Sequence, residues 1–383
     1  MKKYEIAVVG GGMVGAAVAI GFAKQGRNVV VIENRQPESY SVAQTHDIRV
    51  SAISHASVSL LERLGGWKHT SAMRVCPYKR LETWEHSECR TRFHSDSLGL
   101  PELGYIVENR LIQLGLWQEF SQYPNLELRC PEQLKAIEFG NSNQLTLESG
   151  EMIEAEWVIG ADGANSQVRQ LSGIGVTAWD YRQHCMLINV ETALAQQDIT
   201  WQQFMPSGPR SFLPLSGQNG SLVWYDAPKR IRQLSAMDNE TLRTEILSHF
   251  PKELGDIKVL ESGSFPLTRR HAQQYVKHRC ILVGDAAHTI NPLAGQGVNL
   301  GFKDVVSLLD ETEGDEIKLD DLSRYENKRR RDNLLMQTGM DLFYKGFKST
   351  NPLIKFVRNG ALKIADKSGA LKSEVLKYAV GLK

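Results

Sequence analysis

The chain begins with a glycine-rich turn that strongly restricts its fold, Gly10-x-Gly12-x-x-Gly15. The run from Ile6 to Val9 before the turn has strand character, and the segment from Val14 to Lys24 after it has the pattern of a helix packed on a sheet. In such a unit the first glycine permits a tight turn, the second lets the backbone approach a pyrophosphate, and the third lets helix and strand pack closely. The helix N-terminus then faces the anion. The spacing therefore predicts a nucleotide-binding strand–turn–helix unit.

This unit continues into a second strand that ends in an acid. The run from Val29 to Ile32 is apolar and β-branched, and Glu33 follows it at the spacing of a carboxylate that accepts hydrogen bonds from ribose hydroxyls. A glycine-rich turn without a ligand is disfavoured, because Glu33 falls where the ribose would lie. We predict an ADP-containing cofactor, and this unit alone fits NAD and FAD equally.

The same N-terminal region could also be interpreted as a transmembrane or signal segment. The run from Ile6 to Ala23 carries no charge and has about the length of a membrane span. Its glycines interrupt it where a strand should turn into a helix, so we expect a buried unit rather than a transmembrane or signal segment.

Composition excludes several classes of protein. Lys and Arg number 45 against 44 Asp and Glu among 383 residues, so the net charge does not indicate nucleic acid or an acidic partner. The five cysteines are scattered without Cys-x-x-Cys spacing, which argues against a disulfide framework and a zinc cluster and favours a reducing cytosol. The minimal motifs of serine hydrolases, zinc proteases and P-loop enzymes do not occur. We therefore expect neither nucleic acid nor a metal ion as a ligand.

A second glycine-rich loop lies in the stretch ILVGDAAHTINPLAGQGVNLGFKD, from Ile281 to Asp304. A strand-like run leads into Asp285, which could accept a hydrogen bond from a ribityl hydroxyl. Backbone N–H groups at Gly295, at Gly297 and at the start of a helix predicted from Val298 to Leu309 could face the pyrimidine edge of a flavin, where they would stabilise the charge of the reduced ring. Because a long dinucleotide needs a second contact for its far half, the two loops are expected to hold opposite ends of one FAD.

Three motifs follow one another along the chain: the N-terminal unit from Gly10 to Glu33, DGANSQVR from Asp162 to Arg169, and GDAAHTINPLAGQGVN from Gly284 to Asn299. Together they resemble the flavin-dependent aromatic hydroxylases with a single FAD domain, of the para-hydroxybenzoate hydroxylase type. The resemblance covers nearly the whole chain, and it implies FAD as cofactor and NAD(P)H as co-substrate. The residues it implies in FAD binding are Gly10, Gly12, Gly15, Glu33, Arg49, Gln113, Asp162, Gly163, Gly284, Asp285, Gly295, Gln296, Gly297, Val298 and Asn299. For Arg49 and Gln113, a surface or helix-capping role is the alternative.

Four further segments carry a closer resemblance: DIRVSAIS (Asp47 to Ser54), GYIVENRLIQ (Gly104 to Gln113), TWQQFMPSGPRSFLPL (Thr200 to Leu215) and FPLTRRHA (Phe265 to Ala272). They resemble the branch of the family that hydroxylates polyprenylated quinol precursors in ubiquinone biosynthesis. The pattern is nearest to members that act on a methyl- and methoxy-substituted polyprenyl benzoquinol. Hydroxylation at another ring position of the same pathway stays an alternative.

The implied reaction is a monooxygenation that consumes NAD(P)H and O2. Flavin reduced by NAD(P)H combines with dioxygen to give a C4a-hydroperoxide, and the electron-rich quinol ring attacks its distal oxygen. The loop from Pro292 to Gly297 would lie against the flavin face, so Pro292, Gly295 and Gly297 are the predicted catalytic residues. No general base is assigned, because a quinol is already activated by two oxygens. His288 is more readily explained as holding its loop, and His271 and its neighbours Arg269 and Arg270 could equally be solvated.

The predicted fold is α/β, with a Rossmann-like FAD/NAD(P)-binding domain built from discontinuous segments, residues 1–75, 105–175 and 265–340. Alternating apolar stretches in residues 76–104 and 176–264 indicate a β-sheet substrate domain. Their Trp and Phe residues could line a pocket for the prenylated ring, although ordinary sheet core is the more common role.

Residues 341–383 are predicted to form a basic helical C-terminal segment. The segment from Lys345 to Lys383 contains nine basic and two acidic residues, and apolar residues are interleaved with them. One hypothesis is that this segment docks a cytoplasmic enzyme at the inner membrane surface, or on other ubiquinone-biosynthesis proteins there, where a long-chain quinol resides. The alternative is that these helices pack on the FAD domain with solvated lysines.

Other functions compatible with the motifs are distinguished by simple observations. A flavin-dependent prenyl reductase shares the FAD fold but would not need oxygen. A flavin-binding scaffold would not turn over NAD(P)H in the presence of substrate. An NAD dehydrogenase would not release flavin on denaturation.

Overall fold

The computed structural model describes residues 1–290, 297–349, 351, 355, 358–360 and 376. Its strands are β1 (Lys2–Val9), β2 (Val29–Ile32), β3 (Val50–Ser54), β4 (Cys76–Tyr78), β5 (Arg80–Trp84), β6 (Thr91–His94), β7 (Gly104–Glu108), β8 (Leu126–Arg129), β9 (Leu134–Glu138) and β10 (Asn143–Leu147). They continue with β11 (Met152–Gly160), β12 (Val176–Thr192), β13 (Ile199–Gln203), β14 (Arg210–Leu215), β15 (Asn219–Asp226), β16 (Ile257–Ala272), β17 (Val276–Lys277), β18 (Cys280–Leu282) and β19 (His288–Thr289).

The helices alternate with these strands. They are α1 (Met13–Lys24), α2 (His55–Arg63), α3 (Gly66–Met73), α4 (Asn109–Glu119), α5 (Gln167–Leu171), α6 (Pro228–Ser235), α7 (Asn239–His249), α8 (Gly297–Glu311) and α9 (Leu319–Lys348). The α/β fold class is thereby confirmed. The N-terminal strand–turn–helix–strand unit forms where the glycine spacing predicts it, and no helix of the described residues is long and apolar enough to cross a bilayer.

A mostly parallel first sheet carries the N-terminal unit. Its strand order is β17-β18-β11-β1-β2-β8, with β10 and β9 added beside β11. Strands β18, β11, β1, β2 and β8 run parallel to one another, whereas β17 and β10 pair antiparallel with β18 and β11. The β-branched runs of β1 and β2 are fully buried, because helices or loops cover both faces of a parallel sheet.

A second, largely antiparallel sheet has the order β19-β16-β12-β15-β14-β13-β5-β6. One of its faces packs against α6 and α7 through a buried aromatic cluster. The hypothesis that the Trp and Phe residues of this sheet line a substrate pocket is therefore wrong for the members of the cluster. They are core residues that face the two helices: Trp84, Trp201, Phe212 and Trp224.

A small third sheet, β3-β7-β4, lies between the two large ones. Its buried cluster includes Leu215 from the second sheet and Leu376 from the C-terminal segment. The division into FAD and substrate domains stays a prediction. We note that its boundary at residue 265 falls inside β16, since that strand runs unbroken from Ile257 to Ala272.

The long helix α9 spans from one large sheet to the other. Near its start, the Tyr325 hydroxyl donates to the carbonyl of Leu282 in β18. Three turns later, Gln337 donates to the carbonyls of Arg270 and Thr289 at the edge of the second sheet. With 30 residues the helix is about 45 Å long, enough to fix the two sheets relative to each other. It also runs past residue 340, the predicted end of the FAD domain.

Candidate active site at the edge of the parallel sheet

The three sequence motifs meet at one edge of the first sheet. Strands β18, β11, β1 and β2 are parallel neighbours, so the loops that follow them leave the sheet at the same, carboxyl edge. Backbone hydrogen bonds hold the loops in register: Gly10 donates to Ile32 at 2.8 Å and Ala161 to Val9 at 2.9 Å. On the other side of β11, Val283 donates to Gly160 at 3.0 Å. In open α/β sheets this edge is where ligands bind.

The glycines of the first motif meet different surroundings. Gly10 has a φ of +97°, and a Cβ there would lie 2.5 Å from the carbonyl oxygen of Ala161. A Cβ on Gly15 would lie 1.8 Å from the carbonyl oxygen of Gly10, so α1 can pack on the turn only with glycine there. A Cβ on Gly12, at the N-cap of α1, would meet no atom of the described residues within 4 Å. The space beside Gly12 and the helix N-terminus is therefore open to a ligand.

The Glu33 carboxylate is held beside this turn. Its Oε2 accepts from the backbone N–H of Gly11 at 2.6 Å, and its Oε1 accepts from Arg35 N–H at 3.0 Å. On the other side of Gly11, the carbonyl oxygen accepts from Gln113 Nε2 at 3.0 Å and from Trp117 Nε1 at 2.7 Å. Gln113 thus contacts the backbone of the first motif, and its direct contact with FAD stays a prediction. Sequence reasoning missed Trp117, which lies one helical turn after Gln113 on α4.

The second motif presents an acceptor that none of the described residues uses. Asp162 follows β11, and its Oδ2 accepts from the backbone N–H groups of Gln167 at 2.6 Å and Val168 at 3.1 Å at the start of α5. Its Oδ1 is buried and has no hydrogen-bond partner among the described residues. A Cβ on the next residue, Gly163, would meet no atom within 4 Å in the part of the chain that the structure describes. A buried carboxylate oxygen without a donor is costly, so this oxygen is suited to a ligand hydroxyl or N–H group.

Arg169 ties the second motif to the third. Its buried guanidinium donates to the carbonyl of Ala164 at 2.9 Å and to that of Ala286 at 2.7 Å. Burial lowers the pKa of this guanidinium, against the opposing effect of Asp162. Sequence reasoning placed Arg169 at the end of its motif without giving it a role. Its structural role is to fix two loops side by side.

Asp285 in the third motif is accessible to solvent and yet surrounded by protein, as expected for a side chain at the bottom of a cleft. Burial raises the pKa of its carboxyl group, and the nearby His288 and Arg49 oppose that rise. Arg49 is itself exposed. The structure thus brings Arg49 and Asp285, which were predicted from separate segments, close to each other.

A buried ionic network supports the loop that carries Gly284 and Asp285. The carboxylate of Asp304, on α8, accepts from the Gly284 N–H at 3.0 Å and lies 2.5 Å from His288 Nε2. Its other oxygen accepts from Arg329 Nε at 2.8 Å and from Asn333 Nδ2 at 3.1 Å. Burial opposes ionisation of Asp304, but its interactions with His288 and Arg329 outweigh it and lower its pKa to about 2. His288 therefore holds the loop through Asp304, and sequence reasoning missed both Asp304 and Arg329.

The start of α8 lies beside the first motif. A Cβ on Gly301 would lie 2.7 Å from a Val14 side-chain carbon, so only glycine lets α8 approach α1 this closely. Gly297 and Val298, at the first turn of α8, are half-buried. The predicted residues Pro292, Gly295 and Gln296 lie outside the described residues.

Asn299 is bound to protein. Its Oδ1 accepts from Ser54 N–H at 3.0 Å and from Ser57 Oγ at 2.8 Å, and its Nδ2 donates to the carbonyl of Ala52 at 2.8 Å. The side chain is 2 % exposed. Its role in this structure is to join α8 to β3, and a contact of Asn299 with FAD stays a prediction.

The edge of the first sheet fits FAD in four respects. The space beside Gly12 is open for a pyrophosphate, Glu33 is fixed at the end of β2, Asp162 keeps a buried acceptor unused, and Asp285 presents an accessible carboxylate. No group of His, Cys, Asp and Glu among the described residues could hold a metal ion. The arrangement supports binding of an extended dinucleotide along the edge of the sheet.

Comparisons with known proteins agree with this geometry. The FAD binding domain family matches residues 3–331. The chain is similar to 3-demethoxyubiquinol 3-hydroxylase of Escherichia coli, at 52 % identity over 99 % of this chain and 98 % of that protein. It is also similar to ubiquinone hydroxylase UbiL of Rhodospirillum rubrum, at 32 % identity over 99 % of this chain and 90 % of that protein. Among solved structures, p-nitrophenol 4-monooxygenase PnpA of Pseudomonas putida matches with a TM-score of 0.81 over 99 % of both chains; at 19 % identity this likeness shows the fold alone.

Proposed function

The chain belongs to the FAD-binding family that includes the ubiquinone-biosynthesis hydroxylases, and from that premise we propose that it hydroxylates the ring of a ubiquinone precursor. The proposed substrate is the polyprenyl benzoquinol that already carries the ring methyl and one methoxy group. The observation that carries the proposal is the meeting of the three motifs at one sheet edge, in a chain that matches a demethoxyubiquinol hydroxylase along its whole length.

The reaction that this proposal requires consumes one NAD(P)H, one O2 and one proton for each ring hydroxylated. One oxygen atom enters the quinol and the other leaves as water, while NAD(P)H is oxidised to NAD(P)⁺. FAD, when bound, supplies the redox chemistry that joins these two half-reactions. The task of the protein is to bind FAD, orient the ring and exclude water that would divert the reaction to hydrogen peroxide.

The chain's own residues divide this task along the sheet edge. Glu33 is oriented to accept from ribose hydroxyls, since Gly11 N–H fixes its carboxylate. Asp162, through its unpaired Oδ1, and Asp285, through its accessible carboxylate, are acceptors for the donors farther along the cofactor. The N-terminus of α8 offers backbone N–H groups and a positive dipole end to the reduced ring.

The second sheet offers an apolar face toward this edge. In β12, Asn189 donates to the carbonyls of His46 and Asp47, which precede Arg49, so this face of the sheet is turned toward the candidate site. Side chains alternate along a strand, and Leu187 therefore shares the face with Asn189. Leu187 lies opposite Val223 of the neighbouring strand, and Leu187, Val223 and Phe265 are partly buried against one cluster of buried side chains. They support a role for this face in holding an apolar quinol, while the aromatic cluster faces α6 and α7 on the other side.

The decisive test is mass spectrometry of the quinone lipids from aerobically grown cells that lack this chain. We expect a precursor to accumulate that has the ring methyl and one methoxy but lacks the last ring oxygen, and we expect the intact gene to restore the product. A precursor stalled at an earlier hydroxylation would move the reaction to another ring position. A precursor with unsaturated prenyl positions left unreduced would indicate a prenyl reductase, and an unchanged lipid profile would contradict the proposal.

Purified protein gives an independent check. It should be yellow, release FAD on denaturation, and consume O2 and NAD(P)H faster when the demethoxyquinol is added. Turnover of NAD(P)H without O2 uptake would contradict a monooxygenase.

The proposal extends to where the enzyme works, at the membrane surface or in contact with other proteins of the same pathway. It is supported by the excess of basic residues after Lys345. Most of that segment lies outside the described residues; of those described, Arg358 pairs with Glu85 through a bidentate contact and Leu376 is buried. If a chain truncated before Asn351 stays folded and sediments with anionic liposomes as fully as the intact chain does, docking through this segment is wrong.

A further inference from the structure

A cavity of about 320 Å³ lies away from the sheet edge, between α9 and the paired ends of β12 and β16. The cavity lies on one side of the strand β16, and the loop of the second motif lies on the other side. Arg270 points to that loop and donates to the Ala164 carbonyl at 2.7 Å. Its neighbours Arg269 and His271 point to the other side and line the cavity, because side chains alternate along a strand.

His271 is the least satisfied polar group in this cavity. It is 4 % exposed, and neither of its ring nitrogens has a hydrogen-bond partner among the described residues. The Gln337 side chain lies nearby, but its N–H groups donate to the backbone carbonyls of Arg270 and Thr289, and its Oε1 accepts from Arg269 Nε at 3.2 Å. Burial lowers the pKa of His271 to about 4, together with the nearby His288 and Arg330 and against the opposing effect of Gln337. At neutral pH the imidazole therefore offers one donor and one acceptor to whatever enters the cavity.

The cavity also has an excess of positive charge. Of its charged residues, Asp341 is bound by Arg269 and by the Tyr181 hydroxyl. Arg330 and Lys345, from α9, also line the cavity. Arg330 Nε is buried without a partner among the described residues. Arg269 neutralises Asp341, the one acid among the described residues that line the cavity. Arg330 and Lys345 therefore line it as cations without a carboxylate partner in the cavity.

The remaining wall is apolar and partly aromatic. Trp179, which is 61 % exposed, stands at the cavity with Tyr181 and Leu334. An exposed Trp beside a cavity is suited to stacking on a flat apolar group, and the adjacent cations are suited to an anion.

We propose that this cavity binds a small organic oxyanion, a carboxylate or a phosphate on an apolar or aromatic body. Arg330 and Lys345 contact the anionic group, His271 donates a hydrogen bond to it, and the body lies against Trp179. The cavity lies away from the sheet edge that is proposed to hold FAD, on the face of the second sheet that also carries Phe265 and Leu267, farther along β16. Its ligand does not depend on the proposed function.

Calorimetric titration of the purified flavoprotein with benzoate and with phenyl phosphate tests the proposal, with neutral benzamide as the matched probe. We expect at least one anion to bind and benzamide not to bind measurably. The tighter of the two anions then identifies the class as carboxylate or phosphate. If neither anion binds the unaltered protein, the proposal is wrong.

Variants locate the binding, because an aromatic anion could also enter the quinol site. Arg330→Gln and Lys345→Gln should each weaken binding roughly tenfold or more, the effect of losing one charge-assisted contact. Arg331→Gln is the matched control, since Arg331 is the adjacent exposed cation of α9 and does not line the cavity. His271→Leu should also weaken binding without lowering stability, because it removes two buried polar atoms that lack partners. Equal affinity in Arg330→Gln and in the unaltered protein would place the ligand elsewhere and overturn the proposal.

Discussion

At the scale of single residues, the glycines of the first motif differ in role because the space around them differs. Gly12 and Gly15 are both glycines and lie three positions apart. One borders open space, and the other touches the backbone of Gly10. A ligand-binding glycine and a packing glycine can therefore be told apart by adding a single methyl group to each.

We predict that Gly12→Ala leaves the fold intact and impairs flavin binding. The backbone of Gly12, with φ −65° and ψ −174°, is open to alanine, so the free energy of unfolding of the apoprotein should fall by less than about 1 kcal/mol. The added methyl would occupy the approach of the pyrophosphate and weaken FAD roughly tenfold or more, as measured by fluorescence titration of the apoprotein.

Gly15→Ala is the matched variant. It should destabilise the apoprotein itself by about 1–3 kcal/mol, because its Cβ would lie 1.8 Å from the Gly10 carbonyl oxygen. If Gly12→Ala binds FAD normally, the pyrophosphate does not pass beside this residue.

At the scale of elements, the third motif depends on two helices that follow it in the chain. Asp304 of α8 and Arg329 of α9 form a buried ion pair, and the same carboxylate holds Gly284 and His288 in the loop. Four contacts on one buried carboxylate make Asp304 the point at which loop, α8 and α9 are joined. Removing its charge leaves Arg329 buried without a counter-ion.

We predict that Asp304→Asn lowers the free energy of unfolding at neutral pH by about 3–5 kcal/mol, measured by denaturant titration. Asp332→Asn is the control. Asp332 pairs with the same Arg329 at 3.0 Å, but its side chain is 56 % exposed, so we expect a loss below about 1 kcal/mol. Similar losses in the two variants would contradict the central role of Asp304.

The lowered pKa of Asp304 also predicts a pH dependence. Its folded pKa of about 2 lies below its ordinary value of 3.8. The ionised group therefore stabilises the fold fully above about pH 4, and this contribution is lost as the pH falls toward 2. The unaltered protein should lose stability over this range more steeply than Asp304→Asn does.

At the scale of the whole molecule, the proposed function requires the two large sheets to stay in a fixed relation, since it places the ring on one and the cofactor on the other. Two of the features that connect the sheets are helix α9 and Asn189. Helix α9 bonds to both sheets, and Asn189 of β12 reaches the segment that leads from Asp47 to Arg49 and β3. Asn189 is 2 % exposed, so its two hydrogen bonds are made away from water.

We predict that Asn189→Ala costs about 1–3 kcal/mol of stability and, if the proposed function holds, raises the fraction of NAD(P)H oxidation that ends as hydrogen peroxide. The carbonyls of His46 and Asp47 would lose their donor, and the two sheets would be less firmly joined. Asn219→Ala is the control, since Asn219 donates to the Ser216 carbonyl within its own turn at 3.0 Å. A variant with lower stability and unchanged peroxide yield would show that Asn189 does not affect coupling.

Local pattern accounts for most of what could be predicted. The strand from Val29 to Ile32 forms as predicted, and the α8 helix differs from its prediction by one residue at its start and two at its end. These elements are set by apolar periodicity and by glycines, which act within a few residues. Sequence also predicted that the first and third motifs hold opposite ends of one FAD, and the structure brings both motifs to the same edge of the first sheet.

Tertiary structure decided the contacts between residues distant in sequence. Asp304 and Arg329 lie in different helices, and Asn189 contacts a segment more than 140 residues away, so no local pattern marks either contact. Whether a Trp in the second sheet faces α6 and α7 or the opposite side depends on strand register and on which layer covers each face. His271 is another example. The sequence pattern of its segment is equally compatible with exposure to solvent, but packing of α9 buries His271 at the wall of a cavity. Sequence by itself determined the chemistry that the sheet edge can hold, and packing between distant segments decided which side chains support that edge.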